Sequence, residues 1–159
     1  MAAARGGKHP YVYGAAVRLL LRWVLARLRA GDPRPVLALF ADDALHRFPG
    51  DSSWAGERGK GEFAAWLRRY VAVGLQLHPY DILVDGPPWR TRVAFTFEDS
   101  ARSPAGEVVY RNRGVIYGRL RWGRIQYLES FEDTQKTAEF DDYLAATDRS
   151  GAPLRSAAR

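Results

Sequence analysis

Hydrophobic residues recur at helical spacing over residues 15–30, near the start of the chain. They form one stripe along the predicted helix, and arginines occupy the opposite side. The stripe consists of Val17, Leu20, Leu21, Val24 and Leu28. We therefore predict an amphipathic first helix that packs on its own domain and ends at Gly31.

The next elements are shorter. Residues 36–41 are predicted to form a second helix, which begins near a proline suited to a first helical turn. Residues 44–48 alternate in polarity and predict a short strand. Residues 60–73 carry apolar side chains at helical spacing and predict a third helix. A last short helix is predicted over residues 134–145.

After residue 74 the period of hydrophobic positions changes from helical to alternating. Four strands are predicted, separated by turns that are rich in glycine and proline. They cover residues 75–84, 90–98, 108–118 and 124–133. Helices first and strands last, with antiparallel-type connections, predict an α+β domain in which helices cover one face of a curved antiparallel sheet.

A chain of 159 residues has the size of one domain. We predict one folded domain over residues 15–145, with a flexible N-terminus over 1–14 and a flexible tail over 146–159. No apolar run approaches the roughly 20 residues of a membrane span. The start of the chain also lacks the apolar stretch of a secretory signal, so we expect a cytoplasmic protein.

Charge is unevenly distributed along the chain. The net charge is +6, and residues 1–31 hold six basic residues and no acid. Because the excess belongs to one segment rather than to a broad face, the composition argues against nucleic acid as a partner. The absence of cysteine excludes disulfides, thiol nucleophiles and cysteine-ligated zinc. The three histidines lack metal-ligand spacing, so we predict neither a metal nor a cofactor.

Two stretches of the chain resemble SnoaL-like proteins of the nuclear-transport-factor-2-like superfamily. The first, LFADDALHRFPGDSSWAGERGKGEFAAWLRRY, is similar to their helix, strand, tryptophan-bearing loop and helix. The second, RNRGVIYGRLRWGRIQYLESFEDTQK, is similar to their terminal hairpin. The resemblance implies a cone-shaped, cystatin-like roll, with three N-terminal helices on the concave face of the sheet. It also implies a homodimer and a hydrophobic pocket that binds a small molecule.

The resemblance covers several activities with different residue patterns. Steroid isomerases of the superfamily place an aspartate base where this chain has Phe48, and an acidic donor where it has Val115. Limonene-type epoxide hydrolases use an Arg-x-Asp pair, of which Arg92 alone is matched, and a last-strand acid, matched by Glu129. Polyketide cyclases of the SnoaL type rely on one acid/base carboxylate, and this chain departs least from their pattern.

Glu129 is therefore the candidate acid/base. If the last strand alternates regularly, Glu129 shares a face with Tyr127 and Phe131. Two aromatic neighbours would desolvate the carboxylate and raise its pKa. The alternative is a structural carboxylate bonded to Arg92 or to a backbone amide.

Four further polar residues are candidates. His46 alternates with Phe48 and could relay a proton, or it could be an ordinary core histidine. Asn112 and Arg92 could hold a developing oxyanion, although Asn112 could instead satisfy an irregular strand. Asp133 is either a second cavity carboxylate or the N-cap of the last helix.

Aromatic residues are expected to complete the wall of the cavity. Trp66 and Tyr70 lie at helical spacing, which is also typical of ordinary core. Trp54 lies in a loop rich in glycine and serine, where we expect it to be exposed and to form a lid. The predicted ligand-binding set is Phe48, Trp54, Trp66, Tyr70, Tyr127, Phe131 and Asp133.

Together these features predict a SnoaL-like domain that binds a small, apolar, oxygenated molecule in a cone-shaped cavity. The predicted activity is cofactor-free acid/base chemistry of the polyketide-cyclase or epoxide-hydrolase kind. Glu129 would move a proton while His46, Asn112 or Arg92 holds the oxyanion. The alternative that the residues leave open is a non-catalytic ligand-binding or dimerisation module with the same cavity.

Overall fold

Four helices and six strands form within residues 9–147, the part of the chain that the computed structural model describes. The helices are α1 (His9–Arg29), α2 (Arg34–Leu39), α3 (Lys60–Ala72) and α4 (Thr134–Ala146). The strands are β1 (Phe40–Phe48), β2 (Gly56–Arg58), β3 (Gln76–Asp85), β4 (Thr91–Arg102), β5 (Val108–Arg121) and β6 (Arg124–Glu132). The predicted α+β class is confirmed.

The strands form one curved, open sheet in the order β2-β1-β6-β5-β4-β3. Helix α1 packs on β3 and helix α3 packs on β1, so the helices cover the concave face. Neighbouring strands pair antiparallel except β1 and β6, which run parallel. The wholly antiparallel sheet expected from the sequence is wrong at this pair. The alternation of polar and apolar residues in β1 does not reveal the direction of β6, which follows about 80 residues later in the chain.

The first helix begins earlier than its apolar stripe suggests. Helix α1 starts at His9 rather than at residue 15, and Pro10 is well suited to its first turn because a first-turn residue needs no backbone N–H donor. Residues 9–14 of the expected flexible N-terminus are therefore helical. Residues 1–8 and 148–159, which hold the rest of that segment and most of the expected tail, lie outside the described residues.

A short strand forms where the sequence predicts only a loop. Strand β2 pairs with the end of β1, with Gly56 opposite Phe48 and Arg58 opposite His46. Strand β1 itself begins at Phe40, which pairs with Ile125 of β6. Pairing with neighbouring strands satisfies these backbone groups, and single-segment patterns do not reveal such long-range partners.

Aromatic side chains of α3 fill much of the space beneath the sheet. Phe63, Trp66 and Tyr70 recur every three or four residues and are buried. Phe63 stacks on Phe40 of β1 with 4.2 Å between ring centroids, and Trp66 stacks on Tyr70 at 5.6 Å. The aromatic row joins α3 to the parallel strand pair.

Gly114 in β5 is required by a close approach of two strands. A Cβ atom at this position would lie 2.2 Å from the carbonyl oxygen of Phe131 and 2.9 Å from the Cβ of Glu132. It would also lie 3.0 Å from the ring of Phe97. Because glycine has no side chain, Phe97 and Glu132 can occupy the space beside residue 114.

We predict that Gly114→Ala destabilises the fold by roughly 1–3 kcal/mol, because the backbone of β6 has to move to admit the new Cβ. A Cβ atom added at Gly61, in the first turn of α3, would have no other atom within 4 Å. Gly61→Ala is the matched control and is expected to stabilise the protein by roughly 0.4–1 kcal/mol. Urea unfolding measures both changes, and an unchanged midpoint for Gly114→Ala would contradict this close packing.

Candidate functional site

A cavity of about 90 Å³ lies between the concave face of the sheet and helices α1, α2 and α3. Helix α1 contributes Leu21, Val24, Leu25 and Leu28 to its wall, and α2 contributes Val36. The stripe that predicted α1 as amphipathic thus provides one side of the cavity. This side can pack against the hydrocarbon part of a ligand but offers it no side-chain hydrogen bond.

The polar groups of the wall come from the sheet and from α3. They are His46 of β1, Asp99 of β4, Ser130 and Glu132 of β6, and Tyr70 of α3. Burying a polar group costs free energy unless it is paired. Several such groups in an otherwise apolar cavity are typical of a binding or catalytic site.

A second, smaller chamber of about 20 Å³ adjoins the cavity beneath α4. Asp99, Glu132 and Tyr70 line both spaces, while Tyr110 and Thr137 line the small one. The two carboxyl groups therefore lie at the junction between an apolar chamber and a more polar one.

One extra residue in β6 determines which carboxylate faces the cavity. Ile125 and Tyr127 pair with consecutive residues of β5, so Gln126 between them has no partner and forms a bulge. Because side chains alternate, one inserted residue turns every later side chain to the other face. The β6 residues that line the cavity beyond the bulge are Leu128, Ser130 and Glu132.

The predicted inward orientation of Glu129 is wrong for this reason. Regular alternation from Ile125 would turn Tyr127, Glu129 and Phe131 inward, but the bulge turns them to the outer face of the sheet. There the hydroxyl of Tyr127 donates to Oε2 of Glu129 at 2.5 Å. Phe131 is 49% exposed. These three side chains are absent from the cavity wall.

Asp99 is almost fully buried, with 4% of its surface exposed. Its Oδ1 has no hydrogen-bond partner among the described residues. Burial, followed by the nearby charge of Glu132, raises the pKa of Asp99 to about 8. Asp99 is therefore largely a neutral carboxylic acid at pH 7, able to donate a hydrogen bond.

Glu132 occupies the same apolar setting but has hydroxyl partners. Its Oε1 accepts hydrogen bonds from Oγ1 of Thr137 at 3.0 Å and from the hydroxyl of Tyr110 at 3.3 Å. Burial raises the pKa of Glu132 to about 7, while these two hydrogen bonds act in the opposite direction. The two carboxyls influence each other, so they titrate as a coupled pair in the neutral range.

The Tyr70 hydroxyl is buried beside this pair and has no hydrogen-bond partner among residues 9–147. Burial, with the charge of Asp99, raises the pKa of Tyr70 well above its usual value. An interaction with the Tyr70 hydroxyl lowers the pKa of Asp99, and the same interaction raises the pKa of Tyr70. The hydroxyl is therefore a neutral donor directed at the carboxyl pair.

His46 lies in the cavity wall as a neutral imidazole. Burial, assisted by the charge of Arg58, lowers the pKa of His46 to about 3. Its ring lies 4.5 Å from that of Phe63 and 4.9 Å from that of Trp66. Its Nδ1 is buried without a hydrogen-bond partner in the described part of the chain. The ring can therefore exchange hydrogen bonds with a ligand but brings no positive charge.

Asn112 lies behind the carboxyl pair rather than in the cavity wall. Its Nδ2 donates to the backbone oxygen of Asp133 at 2.9 Å and to the hydroxyl of Tyr110 at 3.1 Å. Its Oδ1 accepts from the backbone N–H of Arg113 at 2.9 Å. These bonds attach the start of α4 to the sheet, and Asn112 is absent from the residues that line either chamber.

Arg92 and Asp133 also lie away from the cavity. Arg92 is exposed on the sheet and forms an ion pair with Asp85. Asp133 is the N-cap of α4, where its side chain accepts hydrogen bonds from the backbone N–H groups of Gln135 and Lys136. Of the two interpretations of Asp133 that the sequence left open, the structure supports the cap.

The expected exposure of Trp54 is wrong. The side chain is 2% exposed, because the Arg69 guanidinium covers its ring at 3.9 Å from the centroid. Its carbonyl oxygen accepts from Nε1 of Trp66 at 3.1 Å, and the ring lines the smaller chamber. Phe48, Trp66 and Tyr70 line both chambers, and their contact with a ligand stays a prediction.

The sequence carries a signal for Asp99 but not for Glu132. Asp99 continues the alternation of Val93, Phe95 and Phe97, and a strand extended by one residue beyond 98 would have included it. Glu132 has no comparable signal, because nothing in the local pattern marks the bulge in β6.

Within the described residues, no group of three or more histidine, aspartate and glutamate side chains could hold a metal ion. Among the helices of residues 9–147, none is both long and apolar enough to cross a membrane.

The chain matches the model of the family described as the SnoaL-like domain over residues 20–128. No curated protein is significantly similar to it in sequence. Among solved structures, PrhC from Penicillium brasilianum has a TM-score of 0.68 and 18% identity, over 85% of this chain and 91% of that one. BvnE pinacolase from Penicillium brevicompactum has a TM-score of 0.65 and 12% identity, over 83% and 96%. TerC, co-crystallized with polyporic acid, has a TM-score of 0.60 and 18% identity, over 75% and 92%.

The structural neighbours share the fold of this chain at low sequence identity. The family match is the more specific finding, because it covers more than half of the chain and extends from α1 to the cavity-lining part of β6. It confirms the resemblance on which the sequence interpretation relied. The chain therefore belongs to the SnoaL-like domain family.

Proposed function

We propose that the protein is a cofactor-independent acid/base enzyme that acts on a small, uncharged, largely apolar molecule with a carbonyl group. The observation that carries the proposal is the carboxyl pair of Asp99 and Glu132, with pKa values of about 8 and about 7, in the wall of an apolar cavity. General acid/base catalysis is most effective when the pKa of the group lies near the operating pH.

The lining of the cavity supports an uncharged substrate. Lysine and arginine are absent from the described residues that line it, while two carboxyl groups are present. An anionic ligand would meet like charge in a medium that screens it poorly. A carbonyl compound with an apolar body would instead place its oxygen at the carboxyl end and its hydrocarbon against α1.

The two carboxyls can take different roles because their partners differ. Thr137 and Tyr110 donate hydrogen bonds to Glu132 and stabilise its charged form, so Glu132 is the base. Asp99, in its neutral form, and Tyr70 are the hydrogen-bond donors for the substrate oxygen.

In the proposed step, Glu132 removes a proton from a carbon next to the carbonyl group. The electrons of the C–H bond form a carbon–carbon double bond, and the π electrons of the carbonyl move to its oxygen. Asp99 and Tyr70 stabilise the negative charge on that oxygen. The enolate then regains the proton from Glu132 at the same carbon, or at the γ-carbon when a second double bond is conjugated with it. Alternatively, its α-carbon attacks an internal carbonyl carbon to close a ring, and the alkoxide that results takes the proton from Glu132.

Opening of an epoxide by water is a second candidate, and the smaller chamber favours it. Its volume of about 20 Å³ is enough for one water molecule, which needs roughly 10–15 Å³. Glu132 would remove a proton from that water as its oxygen attacks the epoxide carbon. Asp99 would protonate the oxygen of the C–O bond that breaks.

The names of two structural neighbours are compatible with small-molecule chemistry. One is called a pinacolase, and another was crystallised with polyporic acid. Both are less than 20% identical to this chain. They therefore support a cavity for a small oxygenated molecule and do not identify the substrate.

We predict that Glu132→Gln lowers turnover by roughly 10²- to 10⁴-fold, the usual contribution of a general base. A thermal-shift panel of apolar ketones and epoxides first identifies ligands that stabilise the protein. Mass spectrometry then follows uptake of deuterium from heavy water into ketones, or of heavy oxygen from labelled water into opened epoxides. Asp99→Asn retains a hydrogen-bond donor, so we expect it to lose less activity than Glu132→Gln.

Glu129→Gln is the matched control for this experiment. It makes the same chemical change three residues away, on the outer face of the sheet, and is expected to keep the activity of the unmodified protein. Equal turnover in Glu132→Gln would exclude Glu132 as the base. Ligand binding without conversion of any compound would favour the non-catalytic module instead.

The raised pKa values also predict how stability changes with pH. A carboxyl with a higher pKa in the folded state binds its proton more tightly there than in the unfolded chain. The associated stability is present at low pH and is lost as pH rises from about 4 towards about 8. We predict that the free energy of unfolding falls between about pH 5 and pH 8, and that Asp99→Asn and Glu132→Gln each flatten this slope.

Urea unfolding at a series of pH values measures the slope, and Glu129→Gln again provides the comparison. Stability that rises over this interval, or a slope that both cavity variants leave unchanged, would show that the two carboxyls have ordinary pKa values.

A further inference from the structure

Three segments meet at one end of the molecule. The hydroxyl groups of Tyr13 in α1 and Thr91 at the start of β4 are hydrogen-bonded at 2.6 Å. Leu20 of α1 and Gly123 of the β5–β6 turn line the same surface groove. The loop between β3 and β4, the β5–β6 turn and the first half of α1 therefore form one continuous surface.

Two exposed tryptophans dominate this end. Trp89 is 58% exposed and Trp122 is 65% exposed, with 5.9 Å between their ring centroids. The backbone N–H of Trp122 donates to the carbonyl oxygen of Pro88 at 2.6 Å, which ties the two loops together. We call the surface formed by Trp89, Arg90, Arg121 and Trp122 the tryptophan tip.

The backbone at Trp122 is not one that a large side chain favours. Trp122 and Gly123 both have positive φ angles, of 52° and 75°, in a two-residue turn between the paired residues Arg121 and Arg124. Turns of this kind prefer asparagine followed by glycine. Because the Trp122 side chain is mostly exposed, burial does not offset the strain. An exposed aromatic residue on a strained turn points to a surface that contacts something.

The charge at the tip has one sign. Arg90 and Arg121 are exposed, and residues 86–97 and 119–128 contain no acidic residue. The preceding acid, Asp85, is already paired with Arg92. Arg121 lies directly opposite Arg124 in the hairpin, and like charges in this position do not stabilise a sheet.

An apolar groove lies beside the tip, next to Gly123 of the β5–β6 turn. It has a volume of about 190 Å³ and includes Tyr13, Val17 and Leu20 of α1 in its wall. Leu21 and Leu39 line both this groove and the central cavity. The groove and the cavity are therefore neighbours, with these two side chains between them.

We propose that the tryptophan tip docks on a membrane surface that contains anionic phospholipid. Tryptophan rings favour the headgroup level of a bilayer, and arginines near the surface are attracted to anionic lipid. The apolar groove beside the tip adds hydrocarbon surface that a membrane can cover. A nucleic acid would use the same arginines and tryptophans but would gain nothing from the groove. The docking itself does not depend on the proposed chemistry.

Sedimentation with lipid vesicles tests the proposal on the full chain. The vesicles contain either equal parts of phosphatidylcholine and phosphatidylglycerol or phosphatidylcholine alone. We expect binding to the anionic vesicles, and a loss of at least about tenfold in affinity when Arg90→Gln and Arg121→Gln are combined. We also expect a comparable loss for Trp89→Ser combined with Trp122→Asn. Asparagine suits the turn at position 122, so the second variant is expected to fold.

Trp23→Ser is the matched control, because Trp23 is a 56% exposed tryptophan in the second half of α1, outside the tip. It is expected to bind the anionic vesicles as the unmodified protein does. Absence of binding to these vesicles would overturn the proposal, and so would equal binding by the tip variants. Tighter binding to a single-stranded oligonucleotide than to the vesicles would assign the surface to nucleic acid instead.

Discussion

The extra residue at Gln126 is the constraint on which the site depends. Without it, β6 would present Glu129 to the cavity, between aromatic side chains. With it, Glu132 reaches the junction of the two chambers, beside Asp99. The bulge leaves Gln126 without a pairing partner in β5. It also brings Glu132 close enough to Asp99 to raise the pKa of Asp99. The acid/base character of the cavity follows from this shift in register.

Helix α4 completes the environment of the pair. Its first turn brings Thr137 to Glu132, and Asn112 holds the beginning of the helix against β5 through the backbone oxygen of Asp133. Tyr110 receives a hydrogen bond from Asn112 and donates one to Glu132. The network stabilises the charged form of one carboxyl, while the Oδ1 of Asp99 has no partner in the described residues. Unequal partners in one apolar setting explain how two acids can take two roles.

The fold was easier to predict from the sequence than the site was. Helix patterns are local in the chain, whereas the site depends on pairing between strands that are far apart in the sequence. The periodicity of α1 and of the α3 aromatic residues is local, and it predicted the helices and the inward positions of Trp66 and Tyr70. The direction of β1 relative to β6 and the bulge at Gln126 depend on partners distant in the chain. A single-residue error in register is enough to exchange Glu129 for Glu132. Any side chain at position 114 would collide with β6. The need for glycine there becomes apparent only once β6 is known to lie beside it.

Two carboxyl groups of this protein, Asp99 and Glu132, are expected to titrate in the neutral range. Carbon-13 NMR of protein labelled at its aspartate and glutamate carboxyl groups measures this directly as pH is varied. We predict two resonances that titrate between about pH 6 and pH 9, and the loss of one of them in Asp99→Asn and of the other in Glu132→Gln. Titration of all carboxyl resonances near pH 4, where exposed carboxyls ordinarily titrate, would contradict a carboxyl pair with raised pKa values.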